Sequence, residues 1–224
     1  MKRKLKILFV LIAFSFIAAG IQAQVDADKL LKSVGTRLSK INGYTVDLLI
    51  KVEVDMVKIN DRKAKLTYQK PNKFKFDSEG FLLLPKTGME MDYMKLIEKQ
   101  ANAIYIKDEF VNNVSTHLIK VIPVDPASDV VLAEMWVDPK KAVVMRMKTY
   151  TKESGSYLVN FYYTNHPYNL PDRMIVEFDV KGSKIPQKIA GGEFNSKEKE
   201  LLFKDSKGKV IVIYSNYKVT TTPK

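Results

Sequence analysis

The chain has 224 residues, of which 37 are Lys or Arg and 25 are Asp or Glu, and it contains no cysteine. Without cysteine it can form neither disulfides nor the lipid-modified N-terminus of a bacterial lipoprotein, so its stability must come from packing. A basic excess suits anionic lipid or acidic partners. However, the lysines are spread along the whole chain, so we interpret them as solvated surface and expect no nucleic-acid partner.

Residues 1–23 are predicted to be a cleavable secretory signal peptide. A cationic segment, Met1 to Lys6, precedes an apolar run from Ile7 to Gly20, and Ala23 supplies the small residue before the cleavage site. The apolar run is shorter than the roughly 20 residues that a membrane span needs. We therefore expect a mature domain over residues 24–224 that does not span the membrane. Four of the 37 basic residues lie in the leader, which leaves 33 against 25 acidic residues and a net charge of +8.

The mature part begins with two contrasting periodicities. Apolar residues at helical spacing predict an amphipathic helix over 26–41, ended by Asn42-Gly43. From Tyr44 to Val57 the period changes to two, with apolar side chains on one face and charged side chains on the other. This alternation predicts a long, half-buried strand.

Most of the remaining chain is predicted to be strands joined by short polar turns. An apolar stretch over 80–100 includes a short helical segment, and a polar segment over 183–208 separates the last two strands. The predicted fold is α+β, with one large, strongly curved antiparallel sheet and helices covering its concave face. The predicted strands are 62–69, 73–77, 103–107, 114–124, 130–137, 142–151, 156–163, 173–181 and 209–221.

The sequence offers little chemistry of the kind that enzymes use. His117 and His166 have no neighbouring residues at metal-ligand spacing, and no catalytic or nucleotide-binding motif is present. We expect no catalytic residues, no metal and no cofactor. A carboxylate pair assembled from distant strands stays open, and with it an unrecognised periplasmic hydrolase.

Methionine is concentrated in two places. Met89, Met91 and Met94 lie close together, and Met145 and Met147 are expected on one face of a strand. Methionine serves either as a filler of core gaps or as an adaptable surface for variable apolar ligands. A wide curved sheet covered by helices often leaves an apolar cavity, which favours the second interpretation.

Several segments resemble the periplasmic outer-membrane lipoprotein carriers, the LolA/LolB-like family. The resemblance rests on the passage from helix to strand at Ile41 to Tyr44, the strand–Pro–strand segment Tyr68 to Phe76, the hairpin segment Met135 to Lys140 and the closing strand Tyr214 to Val219.

The resemblance implies an unclosed β-barrel lidded by helices, whose apolar cavity carries lipoprotein acyl chains, or another lipid, across the periplasm to the outer membrane. It also implies an inner-membrane release complex and an outer-membrane acceptor as partners, and an arginine that holds the lid, for which Arg62 is a candidate. The alternative is a periplasmic sensor or adaptor of related fold that binds a protein partner.

The candidate cavity residues are the large apolar side chains of the predicted inner face and of the apolar segment. They are Leu48, Ile50, Val52, Leu66, Tyr68, Phe74, Phe76, Leu83, Met89, Met91, Met94, Met145, Met147, Phe161 and Phe178.

Overall fold

The structure, a computed structural model, describes residues 25–54, 57–58, 60–71, 73–78, 96–97, 101–152, 156–164, 166–179 and 207–221. The predicted signal peptide and cleavage site, the candidates Leu83, Met89, Met91 and Met94, and most of segment 183–208 lie outside these residues. The described elements are α1 (Ala27–Leu38), β1 (Ile41–Val54), β2 (Val57–Lys58), β3 (Arg62–Gln69), β4 (Lys73–Ser78), β5 (Ala101–Val111), β6 (Val114–Pro123), β7 (Val130–Asp138), β8 (Val143–Thr151), β9 (Ser156–Tyr162), β10 (Arg173–Asp179) and β11 (Lys207–Thr221).

Helix α1 forms where the apolar period predicts it. Asp26 caps its N-terminus, because its carboxylate accepts a hydrogen bond of 2.9 Å from the backbone N–H of Lys29. The helix buries Ala27, Leu30, Leu31, Val34 and Leu38.

The prediction that Asn42-Gly43 ends the helix is wrong. The helix ends at Leu38, and Ile41 and Gly43 already pair with β11 as part of β1. Ile41 lies on the apolar stripe of the helical pattern, yet it is buried as a strand residue. The last strand of the chain supplies these pairing partners, and tertiary pairing of this kind overrides the local periodicity.

All pairs among the described strands are antiparallel, and these strands form one open sheet in the order β4-β3-β1-β11-β10-β9-β8-β7-β6-β5, with the short β2 also paired to β1. Sequential hairpins account for most of the order. The exception is β11, which lies between β1 and β10 and so joins the first part of the sheet to the last. The strands at the two ends of this path are β4 and β5, so the predicted curved, unclosed antiparallel sheet is confirmed.

One face of the sheet carries the main core. In β1, Val46, Leu48 and Ile50 are at most 2% exposed, while Asp47 on the opposite face is partly exposed. Helix α1 packs on the apolar face, which is therefore the inner face of the curved sheet. Leu96 and Ile97 are helical and also contact this core. In the described part of the chain, no helix has the length and apolar character that a membrane crossing demands.

The expectation that Met145 and Met147 share one face is wrong. A bulge in β8 places Arg146 opposite Trp136 but Val144 opposite Val137, so one extra residue lies between them. As a result Met147 is buried in the inner core, whereas Met145 belongs to a smaller cluster with Trp136.

Candidate functional site

The inner face brings together most of the predicted cavity residues that the structure describes. Five are fully buried in the core and four are partly buried against it. The buried ones are Leu48, Ile50, Leu66, Met147 and Phe161, and the partly buried ones are Val52, Tyr68, Phe74 and Phe76. Phe178 lies in β10, where its backbone pairs with Tyr157 and Gly208.

Three of the four partly buried members lie toward one end of the sheet, and the fourth, Val52, lies in β1. Phe74 and Phe76 belong to the end strand β4, and Tyr68 to its neighbour β3. At the other end of the sheet, Ala101 and Tyr105 of β5 also pack against the core without being fully buried. The inner face is therefore fully buried around Leu48, Ile50 and Leu66, and its partly accessible apolar residues include members of both end strands.

Three of these accessible residues are absent from the predicted site. Ala101, Ala103 and Tyr105 alternate with Asn102 and Ile104, and the inward members are partly buried against the core. The signal was present in the sequence as a period of two. Because two of the three inward side chains are alanines, the hydrophobic alternation of this strand is weak.

A row of aromatic rings bounds this face at one end of the sheet. Ring centroids are 4.9 Å apart for Phe74 and Tyr68, 5.2 Å for Tyr68 and Tyr44, 5.6 Å for Tyr44 and Tyr217, and 4.9 Å for Tyr217 and His166. Burial raises the pKa of the Tyr217 phenol, whose hydroxyl donates to the carbonyl of Pro171 at 2.9 Å. Its hydroxyl therefore stays protonated and serves as a fixed donor in this row.

Arg37 ties the helix to the loops at the same end. Its guanidinium donates to the carbonyls of Ala142 at 2.8 Å, Tyr168 at 3.1 Å and Asn169 at 3.1 Å. Arg62, the candidate for a lid-holding arginine, is instead exposed at the start of β3. Arg37 is therefore the arginine that fastens helix α1.

One histidine has a carboxylate partner that the sequence reasoning missed. The His117 Nδ1 contacts the Asp108 carboxylate, and the Tyr105 hydroxyl donates to the same oxygen at 3.1 Å. Partial desolvation, with a smaller contribution from Asp108, raises the pKa of the Tyr105 phenol. The Asp108 side chain is 60% exposed, so the trio lies near the surface rather than in a closed pocket.

Neither a nucleophile nor a metal site accompanies this trio in the described residues. The contacts of His117 there include no serine or threonine hydroxyl, and no group of three or more His, Asp or Glu side chains could hold a metal ion. The trio can pass a proton or form an ion pair.

The outer face carries a polar network around the only tryptophan of the chain. The Trp136 indole N–H donates to the Glu109 carboxylate at 3.0 Å, and this bond lowers the pKa of Glu109, with Lys107 and Arg146 adding to the effect. The Arg146 guanidinium donates to the Asn160 side chain at 2.7 Å, and Asn160 donates to Glu177 at 3.2 Å. This network links side chains of neighbouring strands on the outer, convex face of the sheet.

Comparisons with known proteins detect the fold but no sequence relative. No protein-family model matches the chain, and no curated protein matches it. A LolA superfamily protein from Nitrosomonas europaea has a similar structure, with a TM-score of 0.53 and 10% identity over 89% of this chain and 96% of that one. A DUF1329 family protein from Desulfovibrio piger gives a TM-score of 0.55, also with 10% identity, over 89% of this chain and 96% of that one. The chain therefore has the fold of the LolA superfamily.

Proposed function

We propose that this protein is a periplasmic carrier that shields the acyl chains of lipoproteins, or of another lipid, on the inner face of its open sheet. The observation that carries the proposal is the accessible apolar surface along both end strands, represented by Phe76 of β4 and Tyr105 of β5. A curved sheet that ends in two such strands can admit an elongated apolar ligand between them.

The physical need for such a carrier follows from the hydrophobic effect. Each CH₂ group that leaves water contributes about 0.8 kcal/mol, so an acyl chain does not cross an aqueous compartment unshielded. Leu48, Ile50 and Leu66 are at most 2% exposed, and a ligand could not reach them without displacing the core. We therefore assign them to the floor of the site and assign ligand contact to the end strands.

The family resemblance of the sequence supplies the finer parts of the proposal. These are cargo release from an inner-membrane complex, passage through the periplasm and delivery to an outer-membrane acceptor. We propose a non-catalytic protein, because the His117–Asp108 contact has no partner nucleophile among the described residues.

A matched pair of substitutions on β4 tests the site. Phe76 lies partly buried on the inner face and Lys75 is exposed on the outer face of the same strand. Phe76→Ser should weaken binding of a fluorescent fatty-acid probe to the mature protein by roughly tenfold, because a large apolar contact is lost. Lys75→Ser should leave binding within about twofold, since the side chain points away from the site.

Thermal melting of both variants separates loss of binding from loss of folding. Mass spectrometry of the purified protein should in addition detect a co-purified acylated molecule. A wild-type protein that binds no acyl probe, or equal effects of the two substitutions in folded protein, would overturn the proposal.

The alternative function, a sensor or adaptor, also has an observation in its favour. Several large apolar side chains are exposed outside the inner face, including Ile104 and Ile122. An adaptor would co-purify with a protein partner and without lipid. Such a result, combined with no binding of the fatty-acid probe, would favour the adaptor over the carrier.

A further inference from the structure

Exposed aliphatic side chains are concentrated in one corner of the sheet. Among the described residues, six of the seven well-exposed large apolar side chains lie between Ile104 and Val131. Five of them are aliphatic, and we call these five the outer aliphatic patch. Its members are Ile104 at 50% exposed, Ile106 at 43%, Ile122 at 41%, Val124 at 52% and Val131 at 46%.

The strand register places the main members of this patch together on the outer face. Ala103 and Tyr105 pack on the inner core, so Ile104 between them points outward. Val121 is likewise buried in the inner core, so Ile122 points outward. Ile122 lies opposite Asn102, which makes it the diagonal neighbour of Ile104 on the same face.

The rest of the outer face differs in character. On β1 and β3 the outward side chains form ion pairs, such as Lys51 with Asp61 at 3.3 Å and Lys65 with Asp47 at 3.7 Å. Among the described residues, well-exposed aliphatic side chains are confined to β5, β6, the residue after β6 and the start of β7. A concentrated exposed apolar patch marks an interaction site.

The end strand β5 is poorly suited to pairing with another strand. Ile106 is the extra residue of a bulge, since Tyr105 pairs with Ile119 while Lys107 already pairs with Leu118. Charged residues then follow from Lys107 to Glu109. Bulges and charges are the devices by which end strands resist edge-to-edge pairing. The occupant of the patch therefore contacts side chains rather than the backbone of β5.

The size and composition of the patch favour a lipid surface over a protein. Its five residues are each 41–52% exposed, which is too little surface to supply alone the roughly 800 Å² that a standard protein interface buries on each partner. Protein-interface hot spots are enriched in Trp, Tyr and Arg, and the patch contains none of these.

The charges near the patch do not favour an anionic partner. Lys107 forms an ion pair with Glu109 at 3.4 Å, and Lys120 forms one with Glu134 at 3.5 Å. Strands β5 to β7 and the loop that joins β6 to β7 carry more carboxylates than lysines, so the surroundings match a zwitterionic surface rather than a strongly anionic one.

We propose that the outer aliphatic patch inserts shallowly into the boundary between headgroups and acyl chains of a lipid bilayer. Apolar side chains that are surrounded by polar and charged residues suit burial at this depth. The inference rests on the proposed function only for its purpose, which is to bring the carrier to the membrane where cargo is exchanged. Membrane docking and acyl-chain binding occupy opposite faces of the sheet, so they can be measured separately.

Flotation of the mature protein, residues 24–224, with phosphatidylcholine vesicles tests the proposal. The double variant Ile104→Ser with Ile122→Ser should partition into vesicles at least roughly tenfold less than wild type, because two half-exposed isoleucines no longer enter the bilayer. Phe110→Ser is the matched control. Phe110 is 74% exposed but lies toward the hairpin turn, outside the patch, so its loss should leave partitioning within about twofold.

The remaining outcomes are distinguishable. Absence of wild-type binding to these vesicles, or binding only to anionic phosphatidylglycerol vesicles that the double variant retains, would overturn the proposal. A dimer or a bound partner protein that the double variant loses, without vesicle binding, would assign the patch to a protein interface instead.

Fatty-acid binding by the double variant should equal that of wild type. If no form of the protein binds the fatty-acid probe while vesicle binding follows the patch, the carrier function fails and membrane docking stands.

Discussion

Asp108 and His117 lie directly opposite each other across the β5–β6 hairpin, nine residues apart in sequence, and their side chains are in contact. The two-residue turn Asn112-Asn113 sets this register, with φ values of 50° and 63° at the two residues. Positive φ at both central positions is typical of a type I′ hairpin turn, in which asparagine and glycine are the favoured residues. The turn thus determines which side chains meet near the exposed end of the sheet.

Substitutions at Asn113 should therefore change stability in opposite directions. Asn113→Gly is expected to keep or raise the free energy of unfolding, by up to about 1 kcal/mol, because glycine adopts positive φ without steric cost. Asn113→Val should lower it by about 1–2 kcal/mol, since a β-branched residue is strained there. Urea unfolding curves of the three proteins measure the difference. Equal stability of the glycine and valine variants would contradict a left-handed turn at this position.

The hydrogen bond between Trp136 and Glu109 predicts a pH-dependent fluorescence signal. This bond is the largest cause of the lowered pKa of Glu109. A lowered folded-state pKa means that the associated stability is present above the ordinary carboxyl pKa and is lost as pH falls through the lowered value. Trp136 is the only tryptophan, so its emission should change on acidification with a midpoint below the usual glutamate range.

Glu109→Gln is the control for this titration. The amide can still accept from the indole N–H but does not titrate, so the acid transition in emission should disappear while the fold persists. If the variant keeps the same transition, another group is responsible for it.

Local patterns predicted most of β1 but not its end, because Val57 pairs back onto Val54 as part of β2 instead of continuing the strand. They also did not predict the surroundings of its side chains. The period of two placed Leu48 on the inner face, and the structure agrees. The same pattern could not distinguish the buried Leu48 from the partly buried Phe76. That distinction depends on β1 lying inside the sheet and β4 at its end, which the distant pairing of β1 with β11 determines.

Two other features were missing from the sequence predictions, for different reasons. The β8 bulge that separates Met145 from Met147 arises from pairing with β7. The alternation of apolar and polar residues in the sequence does not reveal such a bulge. The Asp108–His117 contact had a usable signal, because two strands that meet at Asn112-Asn113 pair symmetrically about that turn. Recognising the Asn-Asn turn would have given the register.

Two glycines, one in helix α1 and one in strand β1, offer contrasting tests of close packing. A Cβ on Gly43 would lie 2.7 Å from the backbone carbonyl oxygen of Tyr68, so Gly43→Ala should cost about 1–3 kcal/mol of stability through forced backbone movement. A Cβ on Gly35 would meet the side-chain Cγ2 of Ile97 at 3.0 Å. Ile97 can adjust, and alanine is favoured over glycine in a helix by about 1 kcal/mol.

We therefore expect Gly35→Ala to be neutral or slightly stabilising, while Gly43→Ala lowers the melting temperature by several degrees. Differential scanning calorimetry of both variants measures this contrast. The close approach of β3 to β1 at Gly43 would be refuted by a Gly43→Ala protein as stable as wild type.

Arg37 provides the sharpest test of how helix α1 is held on the inner face. Its three bonds to the carbonyls of Ala142, Tyr168 and Asn169 join the end of the helix to two loops. Hydrogen bonds to a charged group contribute about 1.5–3 kcal/mol each before coupling between them is considered. Arg37→Ala should therefore destabilise the attachment of the helix more than it destabilises the sheet.

Hydrogen–deuterium exchange measures this difference directly. Amides of residues 30–38 should exchange at least roughly tenfold faster in Arg37→Ala, a change of about 1.4 kcal/mol in local opening, while amides of β7 to β10 stay close to wild type. Arg37→Lys should restore little of the protection, because an ammonium cannot reproduce the planar fork that reaches several carbonyls at once.

Arg62→Ala is the matched control, since Arg62 is exposed at the start of β3 and its loss should leave helix exchange unchanged. Faster exchange spread evenly over helix and sheet in Arg37→Ala would mean that Arg37 supports the whole fold. Helix α1 would then have no attachment that can be released on its own.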